Sequence, residues 1–159
     1  MQEISYNILQ VLNQAGYKTF WLSNQAPIGI FETLVSKIGV TAQQYQFITS
    51  ESWLHHSPHD EHLLPFFEKI LEDDAPKKVI FIHLMGVHGS YSYRYPTSFQ
   101  KYPVQTASKK QNTINHYDNA ILYNDYVVYR FIDALKRSKK SSSLLYFSDH
   151  GEEVYDYVD

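Results

Sequence analysis

Apolar residues recur along this chain in two rhythms that alternate. Ile4, Ile8, Val11, Leu12 and Ala15 keep the three- and four-residue spacing of a helix face, and Gly16 can close that helix in the left-handed conformation. Residues 17–23 (YKTFWLS) then read as a strand that stops at Asn24-Gln25, before the breaker Ala26-Pro27. A second helix is expected over residues 30–38, closed by Gly39, and a short strand over residues 45–49. The polar stretch His55-His56-Ser57-Pro58-His59-Asp60-Glu61-His62 reads as a loop, with Asp60 able to cap the next helix. Leu63, Leu64, Phe67, Ile70 and Leu71 form that helix's buried stripe, and Pro65 must lie within about its first turn.

Residues 79–83 are a continuous apolar run ending in histidine, the pattern of a buried strand. Residues 89–107 show no clean period, and a loop of that length inside a compact domain is usually a functional surface. The longest helix is predicted over residues 108–137, where Ile114, Tyr117, Ile121, Val128, Ile132 and Leu135 recur at helical spacing. The basic run Lys136-Arg137-Ser138-Lys139-Lys140 suits the carboxyl end of that helix. A last strand is expected over residues 144–148. Helices alternating with strands through short links predict an α/β fold, a mostly parallel sheet covered by helices on both faces.

Composition narrows the function. With 159 residues the chain is long enough for one domain with a real core. A net charge of -3 gives no general attraction to nucleic acid. The absence of cysteine excludes disulfides and thiolate metal sites. No apolar run reaches the roughly 18 residues that suggest a membrane span.

The candidate chemistry sits at the carboxyl ends of two apolar runs. Ser148-Asp149-His150-Gly151-Glu152 follows one, and His83-Leu84-Met85-Gly86-Val87-His88-Gly89 follows the other. In open α/β sheets, active sites lie at that edge. An anionic oxygen from Asp149 and a neutral nitrogen from His150 suit a cation such as zinc. Ser148-Asp149-His150-Gly151 also reads as a surface turn. His83 reads either as a ligand or as a hydrogen-bonded core histidine, whereas His88 lies on a glycine-flanked loop. His55, His56, His59 and His62 read as a solvated cluster, because Pro58 breaks the helical spacing they would need. No Gly-x-Ser-x-Gly elbow and no P-loop is present, so the chain offers part of a metal site and no evident nucleophile.

At these motifs the chain resembles the lipid A and lipooligosaccharide phosphoethanolamine transferases of the sulfatase and alkaline-phosphatase superfamily. The matching strings are AGYKTFWLSNQ from Ala15, HLMGVHGS from His83 with Tyr93-Arg94-Tyr95-Pro96, YDNAILYNDY from Tyr117 and FSDHGEEVYD from Phe147. Asp60-Glu61 through Leu63-Leu64-Pro65 lies between the first two. The resemblance implies a three-layer α/β/α sandwich of sulfatase type, a zinc cofactor, and transfer of phosphoethanolamine from phosphatidylethanolamine to lipid A or a core sugar. Asp149 and His150 would ligate zinc, with His88 at a second zinc or the substrate phosphate and His83 nearby. Asn24 or Gln25 would contact the phosphate, and Tyr93 and Arg94 would line the acceptor side.

The family's threonine nucleophile has no matching context at Thr19, Thr33, Thr41 or Thr49. The chain is therefore expected to be the middle-to-late part of a single catalytic domain, inactive alone. Its parent would be a bacterial inner-membrane protein with this domain in the periplasm, and no oligomeric state is specified. Alternatives on the same scaffold are a sulfatase, a phosphodiesterase or a phosphoglycerol transferase. A further alternative, from another class, is a non-catalytic module that binds a glycan or a partner through its tyrosine-rich loop.

Overall fold

The computed structural model describes residues 6–27, 33–50 and 57–155. The predicted helix residues 4–5 and 30–32, and His55 and His56, lie outside them. The chain divides into two compact units, Met1–Met85 and Gly86–Asp159.

The first unit is built on a parallel three-stranded sheet in the order β2-β1-β3. Its helix α1 (Ile8–Gln14) starts with a capping box: the Asn7 side chain accepts from the Leu9 and Gln10 amides, and Gln10 accepts in return from the Asn7 amide. Gly16, at φ +82°, ends it in the left-handed region, as the pattern predicts. The strand β1 (Lys18–Ser23) lies between β2 (Gln44–Phe47) and β3 (Lys78–His83), with Trp21 in register with Tyr45 and Phe81.

Nearly all of β1 is buried, so both sheet faces need cover. On one face Trp21 packs with Leu9 of α1, with Ala42, and with Ile38 of α2 (Thr33–Gly39). On the other, Lys18 and its register partner Lys78 grip the carboxyl end of α3 (Leu64–Glu72). Lys78 Nζ donates to the carbonyls of Ile70, Leu71 and Asp73, and Lys18 Nζ to Asp73 Oδ2 at 2.5 Å. That lysine holds the Asp73 carboxyl below its ordinary pKa. This is the expected helix–sheet–helix layering. Pro65 sits at the start of α3, where no amide donor is missed.

One local expectation changes. Asp60 does not cap a helix: His59 holds the cap position of a 3-10 turn, Asp60–Leu63, and Asp60 turns inward. Gly39 closes α2, as expected, as its last residue. A Cβ there would stand 2.7 Å from the Trp21 indole, so its function is close approach.

The second unit is organised by α4 (Lys109–Ser138), which Ser108 caps by accepting from the Gln111 amide. Its end is basic, as expected, with Lys139 in the left-handed conformation. Its buried face lies one position away from the predicted stripe. Asn115, Asn119, Tyr123, Val127, Phe131 and Ala134 face inward, whereas Ile121 is exposed. The reason is polar. Asn112, Asn115 and Asn119, spaced three and four apart, satisfy the backbone of the tyrosine-rich loop. Asn119 Oδ1 accepts from the Lys101 and Tyr102 amides, its Nδ2 donates to the Tyr102 carbonyl, Asn115 donates to the Pro103 carbonyl, and Asn112 pairs with Thr106. The loop itself contains two 3-10 turns, Tyr91–Tyr93 and Thr97–Phe99.

The predicted strand over residues 144–148 does not form. These residues join no strand ladder and are exposed, with Leu145 at 85% and Phe147 at 73%. A strand needs a ladder partner, and the described part of this unit contains no other strand. No helix among the described residues is long and apolar enough to cross a membrane.

Two predictions follow from this packing. Gly39→Ala is expected to cost about 1–3 kcal/mol by overpacking, despite alanine's better helix propensity, because Trp21 is itself stacked on Phe81. Trp21→Phe in the same chain should recover part of that loss relative to the sum of the single changes, and urea unfolding of all three variants checks it. The second concerns His116, whose Nδ1 lies 2.7 Å from the Tyr95 hydroxyl. Burial pushes its pKa below the ordinary histidine value. The unfolded chain therefore takes up a proton near pH 6.5 that the folded chain refuses, and stability falls as pH drops below that point. In His116→Gln the thermal midpoint should fall less between pH 6.5 and pH 5 than in the parent; equal slopes would exclude the assignment.

Candidate active site

In the first unit the site region lies beyond the carboxyl ends of β1 and β3. The Asn24 amide donates to the His83 carbonyl at 2.9 Å, extending the ladder by one step. The Asn24 side chain is 0% exposed. Its Nδ2 donates to the Pro58 carbonyl and to Asp60 Oδ1, each at 2.7 Å, and its Oδ1 lies 2.8 Å from the Thr49 hydroxyl. Asp60 Oδ1 also accepts from the Met85 amide at 2.9 Å. Asn24 is thus a buried clamp with both donors engaged, not an amide open to a phosphate. Gln25 is the half-buried neighbour, and it spends one donor on the Leu84 carbonyl at 3.0 Å. His83 is half-buried, with Nδ1 3.2 Å from Ser23 Oγ and its ring beside Trp21. Sequence reading missed the role of Asp60. Its signal was an acidic residue in a segment already matched to the family.

The hydroxyls of three threonines in this unit are engaged within the fold. Thr19 donates to Asn13 Oδ1, Thr41 to the Ile38 carbonyl, and Thr49 to Asn24.

In the second unit, Gly86 (φ +58°) and Ser90 (φ +65°) turn the loop that exposes His88. Arg94 is buried under that loop, its Nε donating to the His88 carbonyl at 3.0 Å and its Nη2 to the Gly89 carbonyl at 3.1 Å. It shapes the loop from beneath, whereas Tyr93 is exposed beside it. Burial and the Glu152 carboxylate raise the Tyr91 pKa, so its hydroxyl stays a donor.

Asp149 and His150 lie on the exposed segment that follows residues 144–148. His150 Nδ1 lies 2.8 Å from the Gly151 carbonyl, which accepts from it and leaves Nε2 as the ligand nitrogen. That hydrogen bond, and then the Asp149 carboxylate, hold the imidazole above its ordinary pKa. His150 Nε2 is 3.9 Å from Asp149 Oδ1. Two donors bound to one tetrahedral zinc lie about 3.4 Å apart. In donor type the pair suits zinc, while its 3.9 Å separation is wider than that of two donors on one tetrahedral ion. Among the described residues no group of three His, Asp or Glu side chains could hold a metal ion, so His88 does not join the pair there.

A parallel sheet wrapped by helices, with chemistry-bearing loops beyond its strand ends, defines an α/β enzyme scaffold. Comparison with known families matches the Sulfatase family over residues 2–158, and the chain belongs to it. It is 36% identical over 157 residues to phosphoethanolamine transferase EptC of Escherichia coli (strain K12), covering 94% of this chain and 27% of that protein. It is 38% identical over 157 residues to phosphoethanolamine transferase CptA of Salmonella typhimurium (strain LT2), with the same coverage. The chain thus spans about a quarter of the length of these relatives. Among solved structures it resembles the zinc complex of the C-terminal periplasmic domain of EptC from Escherichia coli, with TM-score 0.87 and 36% identity, covering 95% of this chain and 44% of that one.

Asp60→Ala is expected to cost about 3 kcal/mol, since the Met85 amide and an Asn24 donor would lose their buried acceptor. Asp60→Asn, which keeps one acceptor oxygen, should cost less. Chemical denaturation of the two variants tests this, and equal stabilities would contradict it.

Proposed function

We propose that this chain is part of the catalytic domain of a zinc-dependent phosphoethanolamine transferase of the bacterial periplasm. Its parent would be held in the inner membrane by helices outside these residues. The donor would be phosphatidylethanolamine and the acceptor lipid A or a core sugar. The observation that carries the reading is the adjacent Asp149–His150 pair, a carboxylate and an imidazole of the donor types zinc takes, in a chain 36% identical to a phosphoethanolamine transferase. The family match runs through residues 2–158, which favours one sulfatase-type domain.

Asp149 and His150 would hold the ion. When bound, zinc withdraws charge from the phosphoryl oxygens and lowers the pKa of a bound hydroxyl. His88, exposed on a loop fixed by Arg94, would give a proton to a leaving alkoxide. Gln25 retains a second N–H proton for donating to a phosphate oxygen. Ser23 orients His83, whose exposed part can assist charge stabilisation. Tyr93 offers a phenol to the acceptor, while Arg94 acts through the loop above it. The nucleophilic threonine is expected upstream, consistent with the engaged hydroxyls of Thr19, Thr41 and Thr49.

The test uses the intact protein in vesicles containing phosphatidylethanolamine and a lipid A acceptor. Phosphoethanolamine transfer should vanish with a zinc chelator, return with added zinc, and fall about a hundredfold or more in His150→Ala. Full turnover by His150→Ala would overturn the reading. Transfer from phosphatidylglycerol but not phosphatidylethanolamine would replace it with phosphoglycerol transfer.

A further inference from the structure

One buried asparagine of α4 ties down both ends of residues 95–102. Asn119 accepts from the Lys101 and Tyr102 amides through Oδ1. Its Nδ2 donates to the Tyr102 carbonyl at 3.0 Å and to the Tyr95 hydroxyl at 3.3 Å. One helical turn earlier, His116 Nδ1 lies 2.7 Å from the same hydroxyl, with the two ring centroids 6.0 Å apart. A phenol has one proton to give and lone pairs that accept. Tyr95 accepts from Asn119, so its own proton goes to His116, whose Nδ1 must then carry a lone pair. Tyr95 is buried, and so is its neighbour Arg94, which grips the His88 and Gly89 carbonyls. His116 thus holds the residue next to the one that shapes the His88 loop.

We infer that His116 is a positioning residue for His88: acting through Tyr95, its neutral imidazole steadies the backbone from which Arg94 reaches the His88 loop. The inference rests on the role given to His88 in phosphoethanolamine transfer. Protonation would reverse the contact. Both ring nitrogens would then be donors, and the Tyr95 hydroxyl would have to accept from His116 as well as from Asn119. Its own proton would lose its acceptor in a buried place. The surroundings of His116 do not favour that charge. Facing it from the loop is the Tyr95 phenol, which burial keeps protonated. At one-turn spacing on α4 stand Asn112, Thr113, Asn119 and Ala120, none of which ionises. The 3-10 turns that pack on α4, Tyr91–Tyr93 and Thr97–Phe99, carry tyrosines and no charged side chain. Burial pushes the imidazole pKa down, so the neutral form prevails at neutral pH and the contact reverses on acidification.

The experiment follows hydrogen exchange in the intact protein at the Tyr93 and Arg94 amides, which donate to the Ser90 and Tyr91 carbonyls. Rates are corrected for the intrinsic pH dependence of exchange. Phosphoethanolamine transfer is measured alongside, in phosphatidylethanolamine vesicles with a lipid A acceptor. At pH 7.5, Tyr95→Phe and His116→Leu should each speed exchange about tenfold. Each should lower kcat about fivefold with little change in KM. The double variant should match either single one, because both remove the same bond. In the parent, acidification from pH 7 to pH 5 should also speed exchange. His116→Gln offers an amide oxygen to the Tyr95 proton at any pH. It should stay within about twofold of the parent at pH 7.5 and lose the acid response, a rescue that general loosening would not give. Unchanged exchange in Tyr95→Phe, or an acid response kept by His116→Gln, would overturn the inference. His88→Ala separates the two levels. If it transfers at the parental rate, the role given to His88 fails; if it is inactive while the Tyr95 and His116 variants turn over normally, only the positioning role fails.

Discussion

Buried loops have no ladder, and every structural choice around the candidate chemistry answers that constraint. A backbone amide or carbonyl removed from water needs a partner, and outside helices and strands a side chain must supply it. In the first unit the partner is the Asn24–Asp60 pair. One carboxylate oxygen serves the Asn24 side chain and the Met85 amide, so three segments distant in sequence meet at a single atom. Without it the sheet could still form, but the chain leaving β1 and the chain leaving β3 would not be fixed where they carry Gln25 and Leu84.

The second unit meets the same need differently. Its long tyrosine-rich loop is stitched to α4 by asparagines at positions 112, 115 and 119. Asparagine suits this because one amide both donates and accepts, matching the two polarities of a peptide group. The arrangement explains why α4 buries polar residues along its inner face, and why the loop above it has two short 3-10 turns rather than longer regular structure. Arg94 extends the principle, with one guanidinium gripping two successive carbonyls of the His88 loop. In both units, groups matched as functional by sequence include some that act as scaffolding.

Much of the fold was legible because it depends on periodicity. The apolar spacing of Ile8, Val11 and Leu12 places α1, the run ending at Ser23 places β1, and the run ending at His83 places β3, each within a few residues. The parallel order followed from the alternation of elements. The rest depended on contacts that sequence spacing does not encode. The face of α4 was read from its aliphatic residues and was displaced by one position, because polar asparagines claim the inside. Their own spacing of three and four was the available signal. Asp60 looked like a local cap, since a carboxylate before a helix usually is one, yet its partners lie 25 and 36 residues away. Gly39 closes its helix as read, and only the indole beside it shows that the missing side chain also permits a close approach.

The segment around residues 144–147 shows where pattern reading must yield to pairing. Four consecutive apolar residues have high strand propensity, but propensity gives no hydrogen bonds; a neighbour does. Here the run joins no ladder; a side chain of α4 holds Tyr146 within it, and Tyr91 holds Glu152 beyond it. A strand end fixes the chain beyond it through the ladder behind it, whereas a segment without a ladder depends on individual side-chain hydrogen bonds, each of which a single substitution removes.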